Sequence, residues 1–360
     1  MRIVFVFIIF LLLISCKSIL QDSVPGHEEH GEYYPHPLYP DVILDSTAIK
    51  LKEPYYIPLS DPIWYAADKA DYMLAADYVI GISIHHRAYA FPWWVMKNYH
   101  IANLYLDSIP IVVTLCEMCS GGGAFHAVIE NQRLVFMQEG VYHGTWFMRD
   151  TITDSYWTPF EGECFAGKEK GRSLDPIPTY QTTWSEWLKQ YPGTKVIYDL
   201  ADMRSGHGSF EFPGSPRIAK GFEVSLKIPV SKISNPFDLV LGVMANGFGK
   251  CYAFNSLDSL KTGVLNDVIR DSIPVVIFHQ LNTTYGGAYN PVIKVNQRLH
   301  FIERNHDIFD EETGSRWNLK GECIEGMLKD IALTPYRFTM KEKYGWVNSD
   351  PDTEYFCFCK

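Results

Sequence analysis

Asp107-Ser-Ile-Pro-Ile-Val-Val113 returns as Asp271-Ser-Ile-Pro-Val-Val-Ile277, and these two stretches decide how the rest of the chain is read. Each is a short polar turn followed by a β-branched run, the pattern of a strand leaving a hairpin. Working outward, Asn131-Gln-Arg-Leu-Val-Phe136 returns as Asn296-Gln-Arg-Leu-His-Phe301. Trp157 followed by Gly162-Glu-Cys164 returns as Trp317 followed by Gly321-Glu-Cys323. The order is kept and the offsets agree within a few residues, so the sequence reads as an internal duplication of folded units rather than a solenoid.

Upstream of each quoted stretch lies a further hairpin. Asp77 to Ile84 and Arg87 to Phe91 join at His85-His86. Asp238 to Met244 and Lys250 to Phe254 join through a slightly longer turn at Asn246-Gly247. Downstream come a Gly-rich stretch (Gly121 to Gly123; Gly286-Gly287) and another hairpin, turning at Glu130-Asn131 or at Asn296. Helix is sparse. Trp93 to Tyr99 supplies one or two turns. Thr182 to Tyr191 carries Thr183 as N-cap, with Glu186 as capping-box partner and Pro192-Gly193 as stop; its counterpart is Lys341 to Ser349 before Pro351. The predicted fold is β-rich α+β, with two tandem pseudo-symmetric β-domains packed on a shared face. The predicted order is a signal peptide at 1–15, a lipid-anchored tether at 16–50, a first repeat at 51–203, a linker at 204–216 and a second repeat at 217–360.

The N-terminus reads as an export signal. Arg2 precedes an apolar run from Ile3 to Ile14, too short to span a bilayer yet the length of a signal h-region. The run ends in Leu13-Ile-Ser-Cys16, which looks like a bacterial lipobox with Cys16 as the acylated residue; the plainer reading is an ordinary cleavage site. Ser18 to about Asp45 is polar and aperiodic, as a tether is. The chain is therefore expected in the bacterial cell envelope, lipid-anchored, on the periplasmic side or at the outer membrane. The formal net charge is −10 and no Lys/Arg run occurs, which argues against nucleic acid as a partner. The 14% aromatic content suits an envelope protein or glycan partner.

Cys116-Glu-Met-Cys119 is the strongest chemical signal. Two cysteines at this spacing serve as a structural disulfide, as a redox pair with one activated thiol, or as two soft metal ligands. Ser-Gly-Gly-Gly after Cys119 is a poor helix start, which weakens the thioredoxin-type reading. His85, His86, His100, His126 and His143 fall in the same repeat. Any one alone is more often a surface or core residue, but His100, His126 and His143 flank strands around the CxxC. With Cys116 and Cys119 they form a candidate ligand set for zinc or copper. Cys164 and Cys323 recur in both repeats and either bond each other across the pseudo-twofold axis or lie buried as small hydrophobes. Trp157 and Trp317 read as core anchors, Glu163 and Glu322 as turn residues, and Asp150 and Asp154 as turn residues with Arg149 pairing to either. Seven cysteines remain after Cys16; Cys357 and Cys359 are too close for an easy mutual bond.

Over residues 60 to 356 the chain resembles the bacterial family known as domain of unknown function 3179. The resemblance rests on Phe91-Pro92, Tyr99-His100, Asn103, Pro110 to Thr114, Cys116-Glu-Met-Cys119 and Ala124-Phe125-His126. It continues through Tyr142-His143, Asp150, Ser155-Tyr-Trp157, Gly162-Glu-Cys164-Phe-Ala-Gly167 and Thr183-Trp184-Ser-Glu-Trp187. It implies no known reaction, but it points to His100, Cys116 and Cys119 as motif positions. Glu117 stands where the family pattern has Pro, and Ile101 where it has Glu. His126, His143 and Cys164 stand where it has Asp, Asn and Ala. Three gained ligand types around one motif imply a metal site particular to this member. A non-catalytic binding lipoprotein with a Cys116–Cys119 staple is the competing expectation.

Overall fold

In the computed structural model, residues 33–34, 48–51, 56–117, 119–198, 218, 223–294 and 297–356 are described. The expected signal peptide, Cys16, the 204–216 linker, Cys357 and Cys359 lie outside them. The chain is β-rich, with four short α-helices among the described residues. Among the described residues the first half contains three larger sheets and a two-stranded ribbon of Val128–Ile129 and Gln132–Arg133. The first has the order Thr179–Thr183, Tyr78–Ile84, Arg87–Pro92, Lys195–Tyr198 and Ile63–Ala66. The second runs Asp175–Pro176, Gly121–His126, Ile109–Cys116 and Ile101–Leu106. The third runs Phe136–Tyr142, Thr145–Asp150, Tyr156–Trp157 and Cys164–Ala166. The second half shows the same three orders with fewer edge strands. They are Arg337–Glu342, Leu239–Ala245, Phe248–Ala253 and Glu354–Tyr355; then Thr334–Pro335, Gly286–Asn290, Ile273–His279 and Val264–Ile269; then Phe301–Arg304, Asp307–Asp310, Arg316–Trp317 and Cys323–Glu325.

The motifs shared in sequence do the same physical work in both halves. Trp157 Nε1 donates to Asp150 Oδ2 at 2.9 Å, and Trp317 Nε1 donates to Asp310 Oδ2 at 2.9 Å, so each buried indole satisfies its one donor. The Asn103 amide brackets the backbone of Phe136, and Asn266 brackets that of Phe301. Trp187 packs where a Cβ on Gly81 would sit, and Trp346 fills the same space over Gly242. These glycines are kept for close approach, not for flexibility.

Several local expectations need adjusting. Asn246 and Gly247 form a two-residue turn with positive φ, the same length as His85-His86, because Phe248 and Gly249 join the strand. The Gly-rich stretch Gly121 to Gly123 forms strand: a Cβ on Gly122 would lie 2.8 Å from Ile80 Cδ1, so the two sheets meet there at glycine distance. The helices are shorter than the sequence pattern allows, Trp93–Met96, Trp184–Gln190 and Lys343–Ser349. Thr183 caps the second of these by accepting from Glu186 N. The chain upstream of the first repeat also contributes structure. Tyr33–Tyr34 pairs with Ile49–Leu51, which in turn pairs with Phe136–Tyr142, so the open edge of that strand recruits upstream chain.

One core cluster runs through both halves. Tyr180 stacks on Tyr285 with ring centroids 4.8 Å apart, its hydroxyl lies 3.0 Å from that of Tyr289, and Gln181 Nε2 donates to Met340 O at 2.9 Å. The first and second halves of the chain are therefore packed into one another.

Candidate functional site

The Ile109–Cys116 strand ends at a tight loop whose return strand begins at Gly121, opposite Cys116. This geometry brings Cys116 and Cys119 to a Cα–Cα separation of 5.3 Å, and the two are joined as a disulfide. The Cys119 N–H donates to Cys116 Sγ at 3.2 Å. Both residues are buried, at 1% and 0% exposure, among Ile101, Val112, Phe125, Val141, Trp146 and Phe160. The cover is the hairpin of Phe136–Tyr142 and Thr145–Asp150. Its Thr145 Oγ1 lies 3.3 Å from Cys119 Sγ, and its Trp146 Nε1 donates to Leu115 O at 3.2 Å. The hairpin turn is held from the second half, where Ser225 Oγ accepts from Gly144 N at 2.9 Å.

The proposed histidines do not converge on the sulfurs as a set. His126 pairs with Ile111, at the far end of the strand whose near end pairs with Cys116; five residues of extended chain separate the two ends. His100 and His143 are at the near end and both are buried, but each is engaged by aromatic rings. His100 stacks on Tyr56 at 3.9 Å and His143 on Tyr142 at 3.5 Å. Among the described residues, no group of three or more His, Cys, Asp or Glu side chains is placed to hold a metal ion. Nor do Cys164 and Cys323 bond each other. They remain separate buried thiols, one packed in the first half's core and one in the second's. Their shared role is to fill space beside Trp157 and Trp317, the blander of the two sequence readings. Burial pushes the Cys164 thiol up to about 12, which keeps it protonated and unreactive.

The sequence reading missed the residues that the second half sends to this place. The Cys119 carbonyl accepts from Glu342 N at 3.1 Å, and Ser120 Oγ donates to Glu342 Oε1 at 3.0 Å. Glu342 is 0% exposed, and its Oε2 has no hydrogen-bond partner. Burial raises its carboxyl to about 8, against the lowering effect of Ser120. Next to it Lys341, also fully buried, pairs with Glu161, donates to Ser349 Oγ at 2.9 Å and lies over the rings of Phe160 and Trp346. Burial alone would raise Glu161, but the Lys341 charge and hydrogen bonds outweigh it and hold the carboxyl below its ordinary range. A signal for these residues did exist. Lys341 and Glu342 occupy the positions before their helix that Thr182 and Thr183 occupy before the matching helix. Two adjacent charges replace two threonines where the halves meet.

This arrangement can hold a loop and bury a charge pair, but it does not expose a sulfur to an attacking thiolate, which thiol–disulfide exchange requires. A family model described as a protein of unknown function (DUF3179) matches residues 56–353. No curated protein and no solved structure matches the chain.

Proposed function

The chain belongs to the DUF3179 family, whose function is unknown, and on the geometry above we propose a membrane-anchored binding lipoprotein of the bacterial envelope in which Cys116–Cys119 is a structural staple. The observation that carries this reading is the burial of both sulfurs, 1% and 0% exposed, under the 136–150 hairpin. A redox pair needs one accessible sulfur, and metal ligation needs free thiolates together with further ligands. An oxidising compartment, which the export signal predicts, is where such a staple persists. With its thiols sealed, the first half acts as scaffold, and binding falls to the second half.

The test is native reduction. Folded protein is held in millimolar dithiothreitol, quenched with iodoacetamide and mapped by mass spectrometry. Cys116 and Cys119 are expected to stay bonded until denaturant is added. Rapid labelling of either one in the folded protein, or stoichiometric zinc or copper lost on Cys116→Ser, would overturn the staple. Anchoring is tested separately: Cys16→Ala is expected to move the protein from the membrane to the soluble fraction.

A further inference from the structure

The short second-half hairpin, Phe301–Arg304 with Asp307–Asp310, leaves a cleft of about 280 Å³ beside the end of the Ile273–His279 strand. Its carboxylates are already engaged, Glu303 by Thr262, Gly263 and His306, and Asp307 by Arg316. Chemistry is left open instead where the two halves meet.

Lys341 is buried whole, at 0% exposure, and its neighbour in space, Glu161, is 7% exposed; lysine and glutamate almost never go so deep unless paired. The Lys341 ammonium donates to Glu161 Oε1 and, at 2.9 Å, to Ser349 Oγ. The rings of Phe160 and Trp346 lie 5.1 and 5.5 Å from that nitrogen. Both partners sit on packed backbone. Lys341, on the Arg337–Glu342 strand, leaves only 2.9 Å between its Cβ and a Cβ placed on Gly121, and Gly162 after Glu161 is closed in by the ring of Phe125. The pair is placed once. At the matching corner Thr182 stands for Lys341, and Lys320-Gly321-Glu-Cys323 stands for Glu161-Gly162-Glu-Cys164.

An amine and a carboxyl held in contact in a dry site react as if at concentrations on the order of 10⁵ M or more. Burying two ions costs desolvation that a neutral amide does not. A third carboxyl is at hand. Glu163 is held by Arg337 at 3.2 Å with its side chain 53% exposed, and both charges of the pair act on it. Burial and the Glu161 charge raise its carboxyl, against the lowering effect of Arg337 and Lys341, so it can take up a proton and exchange it with solvent.

We propose that Lys341 and Glu161 condense to an intramolecular amide, a covalent cross-link between the two halves, with Glu163 as proton carrier. The resting pair is ionised, so the reaction begins with one ammonium proton passing to the Glu161 carboxylate. Lys341 Nζ then attacks Glu161 Cδ; the N–C bond forms and one C–O bond breaks. The leaving oxygen keeps the first proton, receives a second from the nitrogen through Glu163, and departs as water. Nothing is oxidised or reduced and no co-reactant is needed. The remaining amide N–H keeps its bond to Ser349 Oγ. The cross-link stands apart from the binding reading above.

The experiment is peptide mass spectrometry of the exported protein, reduced, alkylated and digested with trypsin. A branched species joining residues 150–168 to 338–343 is expected, one water lighter than the two peptides together and uncut after Lys341. Reducing the disulfide first makes this outcome independent of the state of Cys116–Cys119. Glu163→Gln is expected to slow its formation about a hundredfold, the contribution of a positioned proton carrier, and Glu163→Asp to restore part of the rate. Linear peptides ending at Lys168 and at Lys341 as the only products of the unaltered protein overturn the cross-link, with no variant needed. A branched species that persists in Lys341→Arg overturns it as well, and equal rates in Glu163→Gln overturn the role given to Glu163.

Discussion

The loop at Cys116–Ser120 and the loop at Gln280–Thr284 leave the same strand position and return at Gly121 and Tyr285, yet they are closed by different means. In the first, a disulfide joins positions 116 and 119. In the second, Thr283 bonds back to the Gln280 carbonyl through both its N–H and its hydroxyl, at 3.2 and 2.9 Å. The residues that correspond to the cysteines are thus Gln280 and Thr283, and His279 stands at the position of Leu115. The backbone route does not depend on sulfur. What differs is the cover: a long hairpin in the first half, a short one in the second. One frame therefore gives a sealed staple in one half and an open cleft in the other.

The largest expected effect tests whether the two regions are one cooperative body. Trp157→Ala and Trp317→Ala each remove a fully packed indole bonded to a buried Asp and should each cost about 3–5 kcal/mol. Because the core is continuous across the halves, urea unfolding followed by tryptophan fluorescence and by circular dichroism should give coincident transitions for both variants. Separated transitions would show that the halves stand alone.

The next effect concerns the contact between the regions. Glu342 holds its proton in the folded protein up to a pH of about 8, against an ordinary 4.5. The folded state binds more protons in that window, so stability should fall as pH rises from 4.5 to 8 and level off above it. The loss is roughly 3 kcal/mol, by the free energy of a proton shift of this size discounted for relaxation. Glu342→Gln should flatten that slope in urea titrations at pH 5, 6, 7 and 8; an unchanged slope would assign it to other groups.

A smaller effect sharpens the comparison of the loops themselves. Cys116→Ser with Cys119→Ser should cost about 2 kcal/mol, the chain-entropy value for so short a ring, and should leave the fold intact because the second half makes the same turn with hydrogen bonds. A spectrum that loses its native tertiary signals would mean the bond is required for folding. The smallest effect is a reactivity difference. Cys164, pushed up to about 12 by burial, should resist iodoacetamide at pH 8 in the folded protein and react once unfolded, as read by peptide mapping. Native labelling would place that thiol at the surface.

Legibility followed the range of the interaction. Hairpins at His85-His86 and Glu130-Asn131, the Thr183 cap and the two tryptophan anchors were readable because turn chemistry and alternation act between near neighbours. The CxxC was found by spacing, but its environment was not. His126 looked close to Cys116 in sequence, yet strand register placed it at the opposite end. The proposed Cys164–Cys323 bond failed because each cysteine serves its own half's core. The upstream chain read as tether gave two short strands, since an open sheet edge can recruit residues whose own pattern is weak.

By itself the sequence determined a β-rich chain of two similarly patterned halves, the family it belongs to, and the pair of cysteines around which the first half is built. The tertiary structure alone decided that those sulfurs are sealed, that Glu342 reaches their loop and Lys341 reaches Glu161 from across the molecule, and that the short second hairpin leaves a cleft beside its strand end. The reason is physical. Periodicity and turn residues report forces along the chain, whereas burial, access and the meeting of charges are set by which surfaces close over which.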